Sequence, residues 1–197
     1  MKNPAWFKGT RRRRRYFEGW YFKCISADRR HAVALIPGMA VDPHGNRHAF
    51  IQVIQAVTGQ TAYHRFAYSD FSAAADRLDI RIGASHFAAD GLHVRIDSPA
   101  GSVTGDLAFT EIHAFPVTRL NPGIMGPFSF IPFMECYHAI IHLVHRISGS
   151  LVINGERLSF DGGVGYIEKD YGRSFPKTYL WLQASHFAQP GTSFMFS

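Results

Sequence analysis

The sequence predicts an all-β fold, an antiparallel barrel, on three observations. Short runs rich in β-branched and aromatic residues recur along the chain, turn-forming residues separate them, and no long stretch with a helical period lies between them. Strands spaced at hairpin distance pair antiparallel, whereas a parallel sheet needs a crossover helix between strands. Composition agrees: 46% of the residues are hydrophobic and 14% aromatic, with 17 Phe against 5 Met, which favours a sheet-rich fold or a site for a bulky apolar ligand.

Taken in order, residues 1–15 form a basic segment expected to be flexible, and a β domain is expected over residues 16–197. Net charge is +6, and Arg11, Arg12, Arg13, Arg14 and Arg15 supply five of those charges, leaving about +1 for all other residues. No reading element accompanies the run, so nucleic acid is not an expected partner; attraction to a membrane surface is the alternative to a plain solvated segment. Residues 1–30 lack the uninterrupted apolar region of a secretory signal, because Glu18, Gly19 and Lys23 interrupt it. No segment approaches the ~18 apolar residues of a membrane span. Cys24 and Cys136 lie far apart inside apolar stretches and read as packed thiols, so a cytoplasmic protein, peripheral to a membrane at most, is expected.

The expected strands then include His31–Pro37, Arg47–Gln55, Leu78–Ile82, Leu92–Ile96, Ser102–Phe109 and Leu151–Ile153. Between them stand explicit turns: Asp42–Asn46, Asp90–Gly91, Pro99–Gly101, Asn154–Gly155 and Asp161–Gly163. Thr118–Pro132 is different, an apolar loop with three prolines that reads either as a cover over a ligand opening or as a loop packed on the barrel end. Met134–Ile147 is ambiguous between helix and buried strand; its continuation through Gly149 into Leu151–Ile153 favours strand. The chain ends at Ser193–Ser197 as though in mid-strand, so it reads as a fragment with the start of a second β domain cut off.

Three segments carry chemistry. In Tyr16–Lys23, period-two alternation sets Glu18, Trp20 and Phe22 on one face and Phe17, Gly19 and Tyr21 on the other. If the first face points inward, Glu18 keeps its proton near neutral pH, as a general acid must; the alternative is a structural Glu paired with an Arg. In Gly165–Pro176, Glu168 and Asp170 share a face with Tyr166 while Lys169 points the other way. Two carboxylates so close repel, so one tends to hold a proton; the alternative is a salt-bridge cluster that fixes the following turn. In Tyr179–Phe187, Trp181, Gln183 and Ser185 line one face and His186 the other, a mixture that suits stacking a ring and orienting its hydroxyl. His138, His142 and His145 invite a metal reading, but on a strand His145 would face away from the other two and no familiar ligand pattern is completed, so no metal is expected. There is no phosphate-binding loop, dinucleotide fingerprint or nucleophile elbow, and no cofactor is expected.

Five blocks, Tyr16–Lys23 (YFEGWYFK), Asn121–Gly126 (NPGIMG), Met134–His138 (MECYH), Gly165–Phe175 (GYIEKDYGRSF) and Trp181–Phe187 (WLQASHF), resemble the tocopherol cyclase-like family in that order. Tyr171 stands where a Trp is usual and Ser185 where an Asn is usual. The resemblance implies a lipocalin-like (calycin-type) barrel. It also implies a tocopherol cyclase-like activity, closure of a prenylated hydroquinone to a chromanol. An acid would protonate a trisubstituted double bond and the phenol oxygen would capture the cation. Glu168, Asp170 and Glu18 are the candidate acids, and Trp20, Tyr166, Trp181, Gln183, His186, Tyr137 and Glu135 the candidate ligand-binding residues. The partner expected is a prenylquinol or other isoprenoid, and the alternatives are a non-catalytic carrier or sensor of such a molecule, or a hydratase.

Overall fold

Hairpin follows hairpin in the computed structural model of this chain, which describes residues 3, 6–118, 122–189 and 191–196. The strands are β1 (Tyr16–Ile25), β2 (Ala32–Val41), β3 (Arg47–Gln55), β4 (Gln60–Ala67), β5 (Phe71–Ala73), β6 (Asp79–Ile82), β7 (Ser85–Ala88), β8 (Gly91–Ser98), β9 (Gly101–Ala114), β10 (Cys136–Ile153), β11 (Glu156–Ser159) and β12 (Gly163–Gly172), with a short pair, β13 (Leu182–Ala184) and β14 (Phe194–Phe196), beyond them. The first twelve form one antiparallel sheet in the order β4-β3-β2-β1-β12-β10-β9-β8-β7-β6-β5, with β11 paired to β10. β12 thus returns to lie between β1 and β10. The two ends of the path, β4 and β5, are consecutive in the chain, joined by the 3-10 turn Tyr68–Asp70.

The all-β, lipocalin-like antiparallel architecture expected from the sequence is the one observed, with a seam: among the described residues no ladder joins β4 to β5. One face of every long strand meets in a single core, including Phe22, Leu35, Ile51, Ile82, Phe87, Val94, Phe109, Leu151 and Ile167. Both ends of the path contribute, Ile51 and Val53 from β3 and Ile80 and Ile82 from β6, so the sheet wraps around an apolar interior.

Of Met134–Ile147, the residues from Cys136 onward are strand, as the β-branched continuation indicates, and β10 runs unbroken to Ile153. Gly149 permits this, because its φ is +116° and a Cβ there would lie 2.2 Å from the Asp106 carbonyl oxygen of β9. The run starting at His31 extends past Pro37 to Val41. Proline lacks an amide hydrogen, and the β1–β2 pairing lapses at Trp20 and Tyr21, yet the register is the same on both sides, from Tyr16↔Val41 to Ile25↔Ala32. Cys24 and Cys136 are both free thiols. Arg11–Arg15 are exposed, whereas Gly9 just before them is buried. Among the described residues no helix is long and apolar enough to cross a membrane.

Candidate functional site

Because side chains alternate along a strand, the sheet has a second face, and over β3, β2, β1, β12 and β10 that outer face is the floor of a cavity of about 1050 Å³. Phe17, Gly19 and Tyr21 come from β1, Ile36 from β2, Phe50 and Gln52 from β3, Glu168 and Asp170 from β12, and Cys136 and His138 from β10. Two segments outside the sheet form the walls. Ile124–Phe128, in the proline-rich loop, supplies one, and Phe175–Trp181 with Met195 and Phe196 the other. The apolar loop therefore lines a cavity on the outer face of the sheet, and Asn121 of its motif lies outside the described residues. The floor is flat at β2 because Gly38 has no side chain: a Cβ there would come within 2.5 Å of the Phe50 ring and 2.6 Å of the Glu18 carbonyl oxygen.

The polar end of the cavity is built where β12 pairs with β10. The register His138↔Asp170 sets the imidazole beside the carboxylates, with His138 Nδ1 2.8 Å from Asp170 Oδ1 and His138 Nε2 3.5 Å from Glu168 Oε2. Glu168 Oε2 also accepts hydrogen bonds from the Tyr166 hydroxyl (2.6 Å) and the Trp181 indole Nε1 (3.1 Å). Glu168 is only 4% exposed. Burial raises its pKa above the ordinary carboxylate value; His138 opposes the rise and the Asp170 charge adds to it. For His138 burial acts downward, but the hydrogen bond and charge of Asp170, with the charge of Glu168, outweigh it and raise the imidazole pKa. Burial, then Glu168, drives the Tyr166 phenol far up, so it remains a donor. The three side chains present ligand atoms within 4.8 Å of one another, one of them already engaged in the His138–Asp170 hydrogen bond. The arrangement can hold and move a proton at the wall of an apolar chamber.

The other candidates divide between the faces. Trp181 lines the cavity, and Tyr166 lies behind Glu168, its ring 6.5 Å from that of Trp181. Gln183 Oε1 accepts from Lys23 Nζ at 2.7 Å, and its amide nitrogen donates to the Ser185 hydroxyl, which fixes the covering segment to β1. His186 is half-buried, with its pKa lowered mainly by burial. Tyr137 stacks on Tyr171 (5.1 Å) and donates to the Ile131 carbonyl (2.8 Å), while the exposed Glu135 offers its carbonyl to the Arg173 amide; both brace the loops rather than line the cavity.

Glu18 and Trp20 lie on the opposite face, away from Glu168 and Asp170. Glu18 meets Lys169 Nζ at 2.6 Å and accepts from the Tyr16 hydroxyl (2.8 Å) and the Lys8 amide (2.9 Å). Lys169 also donates to the Trp6 carbonyl and lies 5.1 Å over the Trp20 ring. Burial lowers the Lys169 ammonium to about 8, with Glu18 opposing. The histidines also fall differently from the expectation for a regular strand. β10 is irregular between Ile140 and His142 and again before His145, so His142 and His145 meet in the interior, Nδ1 to Nδ1 at 3.2 Å, and His138 stands apart on the cavity face. Spacing alone offers His138 only as a metal ligand, since its place beside Asp170 depends on strand pairing that spacing does not disclose.

Comparison with known proteins bears out the resemblance. Residues 108–195 match the tocopherol cyclase-like family profile. A probable tocopherol cyclase, chloroplastic, of Oryza sativa subsp. japonica is 29% identical over 72 residues, which covers 36% of this chain and 15% of that protein. Two crystal structures of CghA, the second solved with Sch210972, superpose with TM-scores of 0.51 and 0.50 at 14% identity, each over 81% of this chain and 46% of theirs. At that identity the likeness is one of fold, and the chain spans about half the length of those structures.

Proposed function

Starting from the tocopherol cyclase-like match over residues 108–195, we propose that this chain supplies an acid-catalysed ring-closure site for a prenylated hydroquinone. The observation that carries the reading is Glu168, buried with a raised pKa beside His138 and Asp170, at the wall of a large apolar cavity. Glu168 in its carboxyl form gives its proton to the less substituted carbon of a trisubstituted double bond. The π bond breaks, a C–H bond forms, and a tertiary cation remains. The phenol oxygen then forms the C–O bond and releases its proton to the Glu168 carboxylate, so the net reaction is an isomerisation without added water. Aromatic faces from Phe17, Phe50 and Trp181 favour the cation, and an apolar chamber limits capture by solvent. Asp170 hydrogen-bonds His138 and raises its pKa, which fixes the imidazole beside Glu168 through the cycle.

The test is conversion of a prenylated hydroquinone to its chromanol by the full-length protein, followed by mass spectrometry. Glu168→Gln is expected to lower turnover on the order of 10²-fold or more, with the quinol still retained. Undiminished turnover in that variant removes Glu168 as the acid. A wild-type protein that retains the quinol unchanged over long incubation makes the chamber a carrier instead.

A further inference from the structure

The arginine run and the walls of the cavity leave the sheet at the same end. β1 begins at Tyr16, directly after Arg15, and the registers Phe17↔Gly172 and Cys136↔Gly172 bring the start of β1, the end of β12 and the start of β10 to one edge. From that edge the two covering segments present Phe128, Phe130, Ile131, Phe133, Phe175 and Leu180, which are between 47% and 84% exposed. Phe128, Phe175 and Leu180 also line one cavity, so these side chains are gathered rather than scattered singly, the pattern that marks an interaction surface. These rings are held out by structure. Phe133, the most exposed at 84%, sits at φ +67°, a conformation unfavourable for a bulky residue, and Arg173 Nη2 fixes its carbonyl at 2.7 Å. The arginines are tethered as well: Arg47 Nη2 donates to the Arg12 carbonyl (2.6 Å), and the Arg12 guanidinium lies 5.1 Å over the Tyr16 ring.

We propose that this end of the molecule docks on an anionic lipid surface, with the exposed rings of the two covering segments in the interfacial layer and Arg11–Arg14 at the headgroups. Aromatic and aliphatic side chains beside clustered cations are the combination that binds such an interface, apolar burial and charge attraction acting together. Charge decides against a second copy of this chain as the occupant. Five of the net six positive charges lie in this run, so two copies meeting end to end would bring two arginine clusters together. Docked in this way, the cavity walls Phe128, Phe175 and Leu180 lie at the bilayer surface, and an apolar ligand enters between them without crossing water; that delivery role rests on the proposed function, the docking itself does not.

The experiment is flotation of the full-length protein with phosphatidylcholine vesicles, with and without phosphatidylglycerol, at low and high salt. Wild-type protein is expected to float with the phosphatidylglycerol vesicles, and salt is expected to weaken the association. Replacing Arg11, Arg12, Arg13 and Arg14 by Gln should lower partitioning about tenfold or more. The pair Phe130→Ser and Phe133→Ser should lower it comparably while leaving the far-ultraviolet spectrum intact, since both side chains are exposed. Glu168→Gln should float as wild type, so loss of chemistry and loss of docking are read separately. Absence of flotation at low salt overturns the proposal, as does flotation that ignores the two Phe substitutions. A dimer in light scattering that those substitutions convert to monomer, without vesicle binding, also overturns it.

Discussion

Glu18 and Glu168 are buried carboxylates on adjacent strands, and parity alone separates their work. The odd–even split in Tyr16–Lys23 and Gly165–Gly172 was legible in the sequence; which parity would meet the core and which the cavity was not, because both faces of these strands are buried. Glu18 is the partner of Lys169, where an arginine was the anticipated alternative, and the pair shares its burial with the Trp20 ring. Glu18→Gln leaves an ammonium without its counter-charge in the interior. It should destabilise the protein by about 3–5 kcal/mol, read from the urea midpoint. A change below about 1 kcal/mol would mean that Lys169 is already neutral in the folded protein.

At the scale of the element, the hairpins were readable because their turns are spelled out by Gly, Asn, Asp and Pro, and β3 was delimited to the residue. The irregularities were not. Two register shifts in β10 decide which histidines face the cavity, and they arise from the fit of β10 between β9 and β12 rather than from any local signal. The stretch from Tyr179 to Phe187 reads as one strand, but only Leu182–Ala184 is strand, paired to Phe194–Phe196; the rest leaves the sheet to cover the cavity. Gly38 is the element-level position most sensitive to change. Gly38→Ala would push a methyl against the Glu18 carbonyl oxygen and the Phe50 ring. It should lower stability by about 1–3 kcal/mol and raise the Kd for a prenylquinol, both measured on the purified protein.

For the whole molecule, two titratable side chains, His142 and His145, are packed into the apolar interior. Burial lowers His142 to about 4 and His145 to about 3, the latter helped by His142. In the unfolded chain both titrate near 6.5, so as pH falls below that value the unfolded state binds protons that the folded state refuses. The contribution of these two rings to stability should therefore be at its plateau above about pH 6.5 and fall steadily toward about pH 3. Urea midpoints across that window would measure the slope, and His145→Phe should flatten it. A midpoint independent of pH would place water or a counter-charge beside these rings.

The cavity lies outside the packed bore, a placement that period-two reading left undecided between the two faces. The straps that wall the cavity, Ile124–Phe128 and Phe175–Trp181, are thus distinct from the residues that fill the interior, such as Phe22, Phe87 and Ile167, while the floor belongs to the sheet itself. Under the proposed function, such a division lets the walls be rewritten for a different ligand shape while the interior, and the carboxylates on the strands, stay in place. A hollow barrel has no such freedom, because each enlargement of its pocket is also a hole in its own foundation.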